Sequence, residues 1–285
     1  MLNRALRLFL NTFLLLLCLL VIPVDAVTEQ LTLHFLNVGQ ADAIFIQTPA
    51  GQNILVDAGN SSDANFIIEY LHKHNVTHID HLVGTHPHAD HIGGMATIIN
   101  TFTIGKVYLP RVLHTTKTYE NLLLTIASNN LKVTPIAADL PLSIGAELTA
   151  VFIAPIRSYK EINDNSAVLR IEYGDTSFLL TGDAQAEAEA DLLQAGLEHA
   201  DLLKVAHHGS ATSTTSAFLK TVRPTYAVIS VGRNNVYKLP HPEIVQRLAK
   251  SNVIVYRTDL HGTIIAVSDG NSITMYWEEP YATNY

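Results

Sequence analysis

The chain has 285 residues, with 18 Lys and Arg against 26 Asp and Glu and a formal net charge of −8. That balance excludes sequence-independent coating of nucleic acid, which takes many phosphate-facing cations, but not a small site where metal ions bring the positive charge. A single cysteine, Cys18, excludes a disulfide framework and leaves His, Asp and Glu to hold any metal.

The first 26 residues stand apart. Arg4 and Arg7 precede an apolar run over about residues 8–24, and Val24-Asp25-Ala26 offers a small-residue cleavage site, the layout of a secretory signal peptide. Because the run approaches the ~18 residues of a spanning helix, an uncleaved membrane anchor is the competing reading. Either one predicts a secreted or cell-envelope protein whose residues 27–285 form one domain. Losing Arg4, Arg7 and Asp25 would leave 16 basic against 25 acidic residues.

From residue 31 short β-like runs alternate with helical stretches. LTLHFL, DAIFIQT and NILVDAG read as strands, DANFIIEYLHKHN as a helix, and HIDHLVGT as another strand before a short helical piece from about Gly94. GKVYLP, a helix over YENLLLTIASNN, KVTPIA and ELTAVFI follow. SAVLRIEYG and TSFLLTG are expected to form a hairpin through Gly174-Asp175. Asp183 is positioned to cap the helix AQAEAEADLLQAG, with Gly196 as its stop. DLLKVA, helical SAFLKTV, TYAVISVG, the helix PEIVQRLAK opened by Pro242, and the strands VIVYRT, TIIAVS and SITMYW complete the chain. Mixed sheets covered by helices, an α/β class, are the expectation.

The acidic and histidine residues fall at particular places in this pattern. Asp57 follows ILV, His86 follows HLVGT, Asp183 follows SFLLTG, and His207-His208 follow LLKVA. Each ends an apolar strand, the edge where α/β sheets put their ligand sites. In THPHADHIGG, His86 and His88 are two apart and share a side in an extended chain. Asp90 and His91 then turn into the next helix, and Gly93-Gly94 let the backbone bend closely. One such loop can serve two ions of Zn or Mn, given a bridging Asp183 and a distant histidine. His72, His74 and His78 read as a solvated face, and His34, His81, His199 and His261 fit no pattern. No G-x-S-x-G elbow, P-loop or G-x-G-x-x-G occurs.

THPHADHIGG resembles the signature of the metallo-β-lactamase superfamily, and LVDAG, TGDA and HHGS match its other metal-site motifs in order. More narrowly, FLNVGQADAIFIQTP, NDNSAVLRIEYGDTSFLLTGDA, LLKVAHHGS, AVISVGRNNVYKLPHP and YRTDLHGTI are similar to the soluble C-terminal domain of ComEC-type competence proteins. The resemblance implies a four-layer αββα sandwich and hydrolysis by metal-activated water. It implies two divalent ions, one held by His86, His88 and Asp183, the other by Asp90, His91, Asp183 and His208, with Asp57 supporting the loop. Neighbours in an extended chain face opposite ways, so one of His207 and His208 is expected to bind. His208 is favoured, and His207 is left to support or packing.

Asp90 is the candidate for orienting the water or handling its proton, with Asp183 as its metal-bridging partner in catalysis. Asn165, Ser166, Ser210, Tyr237 and His241 are candidates for substrate contact, though loop capping explains Ser166 and Ser210 equally well. Two departures stand out. The place of a further family histidine is taken by Asn163-Asp164-Asn165-Ser166, so the first ion is a ligand short. ComEC proteins also join this domain to a membrane channel, which this chain lacks. The expected function is an exported metal-dependent hydrolase of phosphodiesters such as DNA. The alternatives are a hydrolase of envelope or small-molecule esters, phosphoesters or lactones, and a non-catalytic metal-containing binding module.

Overall fold

The computed structural model describes residues 30–279. The segment of residues 1–26, expected to be a signal peptide or membrane anchor, lies outside them. Among the described residues no helix is long and apolar enough to cross a membrane.

The first sheet takes β1 (Leu31–Phe35), β2 (Ile44–Gln47), β3 (Asn53–Val56), β4 (His78–Val83), β5 (Thr103–Pro110) and β6 (Val133–Ile136). The second takes β7 (Leu140–Pro141), β8 (Leu148–Ala154), β9 (Val168–Tyr173), β10 (Thr176–Leu180), β11 (Leu202–Lys204), β12 (Tyr226–Ile229) and β13 (Ile254–Arg257). The chain then returns to the first sheet with β14 (Thr263–Ser268) and β15 (Ile273–Glu278), giving the orders β15-β14-β1-β2-β3-β4-β5-β6 and β13-β12-β11-β10-β9-β8-β7.

Side-chain alternation builds the layers, because successive residues of a strand face opposite sides. In β3, Ile54 and Val56 point between the sheets while Leu55 points outward; in β10, Phe178 and Leu180 point between the sheets and Leu179 outward. The outward side chains of the first sheet pack on α1 (Ala64–Lys73), α3 (Met95–Thr101) and α4 (Lys117–Ser128), with a four-residue helix α2 (Ala89–Ile92) between α1 and α3 in the chain. Those of the second sheet pack on α5 (Ala186–Gln194), α6 (Ser216–Val222) and α7 (Pro242–Lys250), and a short α8 (Thr258–His261) leads into β14. Helix, sheet, sheet, helix is the expected αββα sandwich. Strands buried on both faces read as unbroken apolar runs such as ILV and FLL.

Both sheets have a parallel half, β3 to β6 in one and β10 to β13 in the other. The sheets meet where Ala167 N donates to Thr85 O (2.9 Å), and within the second sheet His207 N donates to Gly182 O (3.2 Å). Gly182 has φ +50°, and a Cβ there would crowd Thr85 and Ser166 at 3.0–3.2 Å. That close approach brings the two sets of strand ends to one edge.

The hairpin through Gly174-Asp175 forms, pairing Tyr173 with Thr176. The strand β7 and the helices α2 and α8 are too short to carry a periodic signal. The capping role expected of Asp183 is not what the fold uses. Asp164 Oδ1 instead accepts from Gln185 N (2.9 Å) and Ala188 N (3.2 Å) at the start of α5, and Asp183 is free for the strand edge. His74 is half-buried rather than solvated, its ring 4.7 Å from that of His34, whose Nδ1 lies 2.9 Å from Tyr70 Oη.

Gly93 and Gly94 keep helical backbone angles, φ −58° and −81°. They are needed for space, since a Cβ on Gly94 would overlap Ala58 O and one on Gly93 would overlap Ala89 O and the backbone of residues 60–61. Gly94→Ala is therefore expected to cost about 1–3 kcal/mol by overpacking, read as a lowered denaturant midpoint at unchanged slope. A midpoint equal to wild type would show that the residue 58–61 loop yields freely.

Candidate metal centre

Four strand ends supply the centre. Asp57 follows β3, Thr85 and His86 follow β4, Asp183 follows β10, and His207-His208 follow β11. Helix α2, opened by His88 as its N-cap, adds Asp90 and His91. The side chains of His86, His91, Asp183 and His208 are 0–3% exposed, and that of Asp90 is 32% exposed on the open side.

Asp183 Oδ2 is the meeting point. It lies 3.3 Å from His91 Nε2, 3.8 Å from His86 Nε2, and 3.9 Å from the Nε2 atoms of both His207 and His208. Around it, His88 Nδ1 is 3.0 Å from His86 Nε2, and Asp90 Oδ2 is 3.3 Å from His208 Nε2 and 3.8 Å from His91 Nε2. Donor atoms on one ion at about 2.1 Å each stand about 3.0–3.5 Å apart at cis angles, so the spacings suit ligand pairs. Two triads, His86-His91-Asp183 and Asp90-His91-His208, have ligand atoms within 4.8 Å of one another.

The outer contacts fix which nitrogen faces inward. His91 Nδ1 donates to Asp57 Oδ2 (2.7 Å), and His208 Nδ1 donates to Ser230 O (2.9 Å). Thr85 Oγ1 donates to Asp57 Oδ2 (2.7 Å), so it is an acceptor toward His86 Nδ1 at 3.2 Å. Each of these imidazoles thus turns Nε2 to the carboxylate, as metal-ligating histidines do when an outer partner holds their other nitrogen. Asp183 Oδ1 and His91 Nε2 are buried without a hydrogen-bond partner. Converging acceptor nitrogens, an anionic carboxylate and orphaned polar atoms fit a pair of divalent cations.

Asp57 supports the loop as expected, accepting from Thr85 N (2.8 Å) as well as from Thr85 Oγ1 and His91. It also forms a triad within 4.8 Å with Asp42 and His91, but there His91 Nδ1 is already bonded to Asp57. The sequence reading missed Asp42 and Lys204. Their side chains pair at 2.8 Å in complete burial, and Asp42 Oδ1 lies 3.5 Å from His208 Nδ1. The signal was the lysine in the apolar run LLKVA, because a buried ammonium requires a partner.

The substrate candidates divide. Asn165 is buried and spends its amide on Tyr159 N, Tyr159 O and Glu161 O, closing its own loop. Ser166 is fully buried, and its Oγ accepts from Asp183 N (3.1 Å), orienting the central carboxylate. Ser210 bonds Thr212, His241 caps α7, and Tyr237 is 69% exposed.

The electrostatics follow. Burial disfavours the charged forms of His91 and His208, yet Asp183 and Asp57 hold His91 well above its ordinary value, and Asp183 and Asp42 push His208 to about 10. Asp183, despite burial, is held well below the carboxylate range by His91 and His208. His86 is driven well below its ordinary value by burial and by His91. Without metal, protons play the cation's part. Stabilisation by the raised His208 is complete below its unfolded value of 6.5 and lost as pH rises toward about 10. The thermal midpoint of the metal-free chain is expected to fall across that window, and to fall less with bound divalent ions, which displace the protons. A midpoint that is flat or rises in the metal-free chain would contradict a protonated His208.

A model of the metallo-beta-lactamase superfamily matches residues 36–233. "ComE operon protein 3" of Bacillus subtilis is 28% identical over 247 residues, which are 80% of this chain and 32% of that protein. "Recombination protein 2" of Haemophilus influenzae is 31% identical over 234 residues, 80% of this chain and 28% of that protein. The chain spans under a third of the length of these curated relatives. Igni18, a metallo hydrolase from the archaeon Ignicoccus hospitalis, has a similar fold, with a TM-score of 0.52 over 87% of this chain and 99% of that one at 16% identity. The family match takes in Asp57, the His86 to His91 loop, Asp183 and His208, and with the αββα sandwich around them it shows that this chain belongs to the metallo-β-lactamase superfamily.

Proposed function

We propose that the chain is an exported, two-metal hydrolase of phosphodiesters, with DNA as the favoured substrate. The observation that carries the reading is the convergence of imidazole nitrogens from three chain segments on the buried Asp183 Oδ2 at 3.3–3.9 Å. His86, His88 and Asp183 would hold one ion, and Asp90, His91, Asp183 and His208 the other, Zn or Mn being suited to these nitrogen and oxygen donors. Bound there, the ions would supply Lewis acidity and lower the pKa of a water to about 7.

The protein's own part is orientation and proton handling. Asp57 and Ser230 hold His91 and His208 in one tautomer, and Ser166 and the Gly182 turn aim Asp183. Asp90 is the acid group with an open side, and its carboxylate is kept ionised chiefly by the His208 hydrogen bond and the His91 charge, against the pull of burial. It is therefore available to orient a water and to accept its proton. The open side also argues against the metal-containing binding module, since a purely structural ion is closed off by protein ligands. The names of the relatives, competence and recombination proteins, favour DNA. The net charge of −8 favours the second reading, a smaller ester or phosphoester of the cell envelope. Export rests on the signal-peptide pattern of residues 1–26.

The test is hydrolysis of single-stranded DNA and of bis(p-nitrophenyl) phosphate by the chain loaded with Zn²⁺ or Mn²⁺. An Asp183→Ala, His88→Ala double variant is expected to lose at least about 100-fold, since ligand loss exceeds the 10–100-fold typical of outer supports. Equal activity in wild type and double variant would sink the metallohydrolase reading. Cleavage of the small diester with DNA untouched would move the assignment to the smaller ester.

A further inference from the structure

The site has an asymmetry. Around the Asp90-His91 ion, Asp183 and His208 complete a set of four protein ligands, whereas His86 and His88 have only Asp183 beside them. Asn163 comes from the loop where the family resemblance would place a further histidine, and its amide reaches His207. The turn after β11 answers the shortage. His207 and His208 both have left-handed backbone angles, φ +50° and ψ +45°, then φ +53° and ψ +24°. Side chains larger than glycine rarely adopt this conformation, and two in succession mark a position held by its surroundings. An extended backbone would send neighbouring side chains to opposite faces, but this one winds, so both imidazoles turn toward Asp183 Oδ2, each at 3.9 Å.

Beyond Asp183 their nearest polar partners differ. His208 Nε2 lies 3.3 Å from Asp90 Oδ2, a ligand of the second ion. His207 Nε2 lies 3.4 Å from Asn163 Nδ2, and its Nδ1 lies 3.2 Å from Thr212 Oγ1. Donation from the Asn163 amide requires a lone pair on His207 Nε2, the atom a metal would use. Asn163 Oδ1, next to it, is buried without a hydrogen-bond partner. The His207 side chain is 27% exposed, so it has the freedom to close the remaining distance.

We propose that His207 is the third imidazole of the His86-His88 ion, so that the two adjacent histidines serve different ions, His207 the first and His208 the second. The left-handed turn thereby supplies from β11 the ligand that the residue 163 loop does not, with Asp183 bridging. The ligand set would then be three imidazoles and a carboxylate oxygen, donor types that Zn²⁺ and Co²⁺ accept. This concerns metal loading of the proposed hydrolytic site and is read without any assay of hydrolysis.

The metal-free full-length chain is titrated with Co²⁺, followed by calorimetry and by the visible absorption of the bound ion. Wild type is expected to bind two ions. His207→Ala is expected to keep the affinity of one ion, lose about tenfold or more for the other, and change its absorption band. Asn163→His combined with His207→Ala should recover most of the lost affinity, because residue 163 touches the same nitrogen. His207→Gln provides the same reading should the alanine variant unfold, with circular dichroism reporting the fold. Wild-type titration and spectrum in His207→Ala would overturn the proposal. So would a weakening with an unchanged absorption band, which would make His207 a prop rather than a ligand. Two ions bound through His207 without cleavage of either phosphodiester would uphold the ligand assignment while sinking the hydrolase reading.

Discussion

The structure turns on one electrostatic constraint: an anionic carboxylate, Asp183, buried at the edge of two sheets with imidazole nitrogens turned to face it. A buried charge is costly unless it is paired, and lone pairs aimed at a carboxylate oxygen repel it. A positive charge among them is therefore required. Protons on His91 and His208 meet that requirement in the metal-free protein, and divalent ions held by the same side chains would meet it by accepting the nitrogen lone pairs. The same requirement explains the supports behind the site: Asp57, Ser230 O and the Asp42-Lys204 pair compensate outer nitrogens and neighbouring charges so that the inner ones stay directed.

The fold exists to bring that edge together. Two parallel half-sheets end on the same side, and Gly182 lets the β10 end approach the β4 end more closely than a side chain would permit. Gly93 and Gly94 do the equivalent on the helical side, where α2 and α3 lie against the loop after β3. Rigid strands and tight turns thus hold ligands from separate parts of the chain at fixed spacing, the preorganisation that a metal site needs. Asp90 is half-open, as are His88 and His207, which gives the site an approach from solvent.

Much of this was legible in the residues. Strands buried on both faces leave apolar runs, and a polar ligand directly after such a run is conspicuous, which is why Asp57, His86, Asp183 and His208 stood out. The residues that escaped were of another kind. Asp42, read as the head of the strand DAIFIQT, lies in the loop before β2, and Lys204 looked like one more charge in LLKVA; their pairing depends on the β1-β2 loop meeting the β11 end. Asn165 and Ser166 looked available to a substrate because loop residues usually face solvent, but the residue 163–166 loop folds inward, and their polar atoms hold Tyr159 and Asp183.

By itself the sequence determined the α/β class, the apolar strands and the ligand types, because these follow from periodicity, from the lack of thiolates after residue 18 and from motifs of local spacing, while the four layers came through the family resemblance that those motifs carry. The tertiary structure alone decided which atoms meet. Asp183 left its expected helix cap because Asp164 occupies that position, and two adjacent histidines both reached one carboxylate because the backbone between them is left-handed, not extended. Spacing along a chain fixes direction only while the backbone is regular. At the strand ends, where this site is built, regularity stops, and packing between the two sheets sets the geometry.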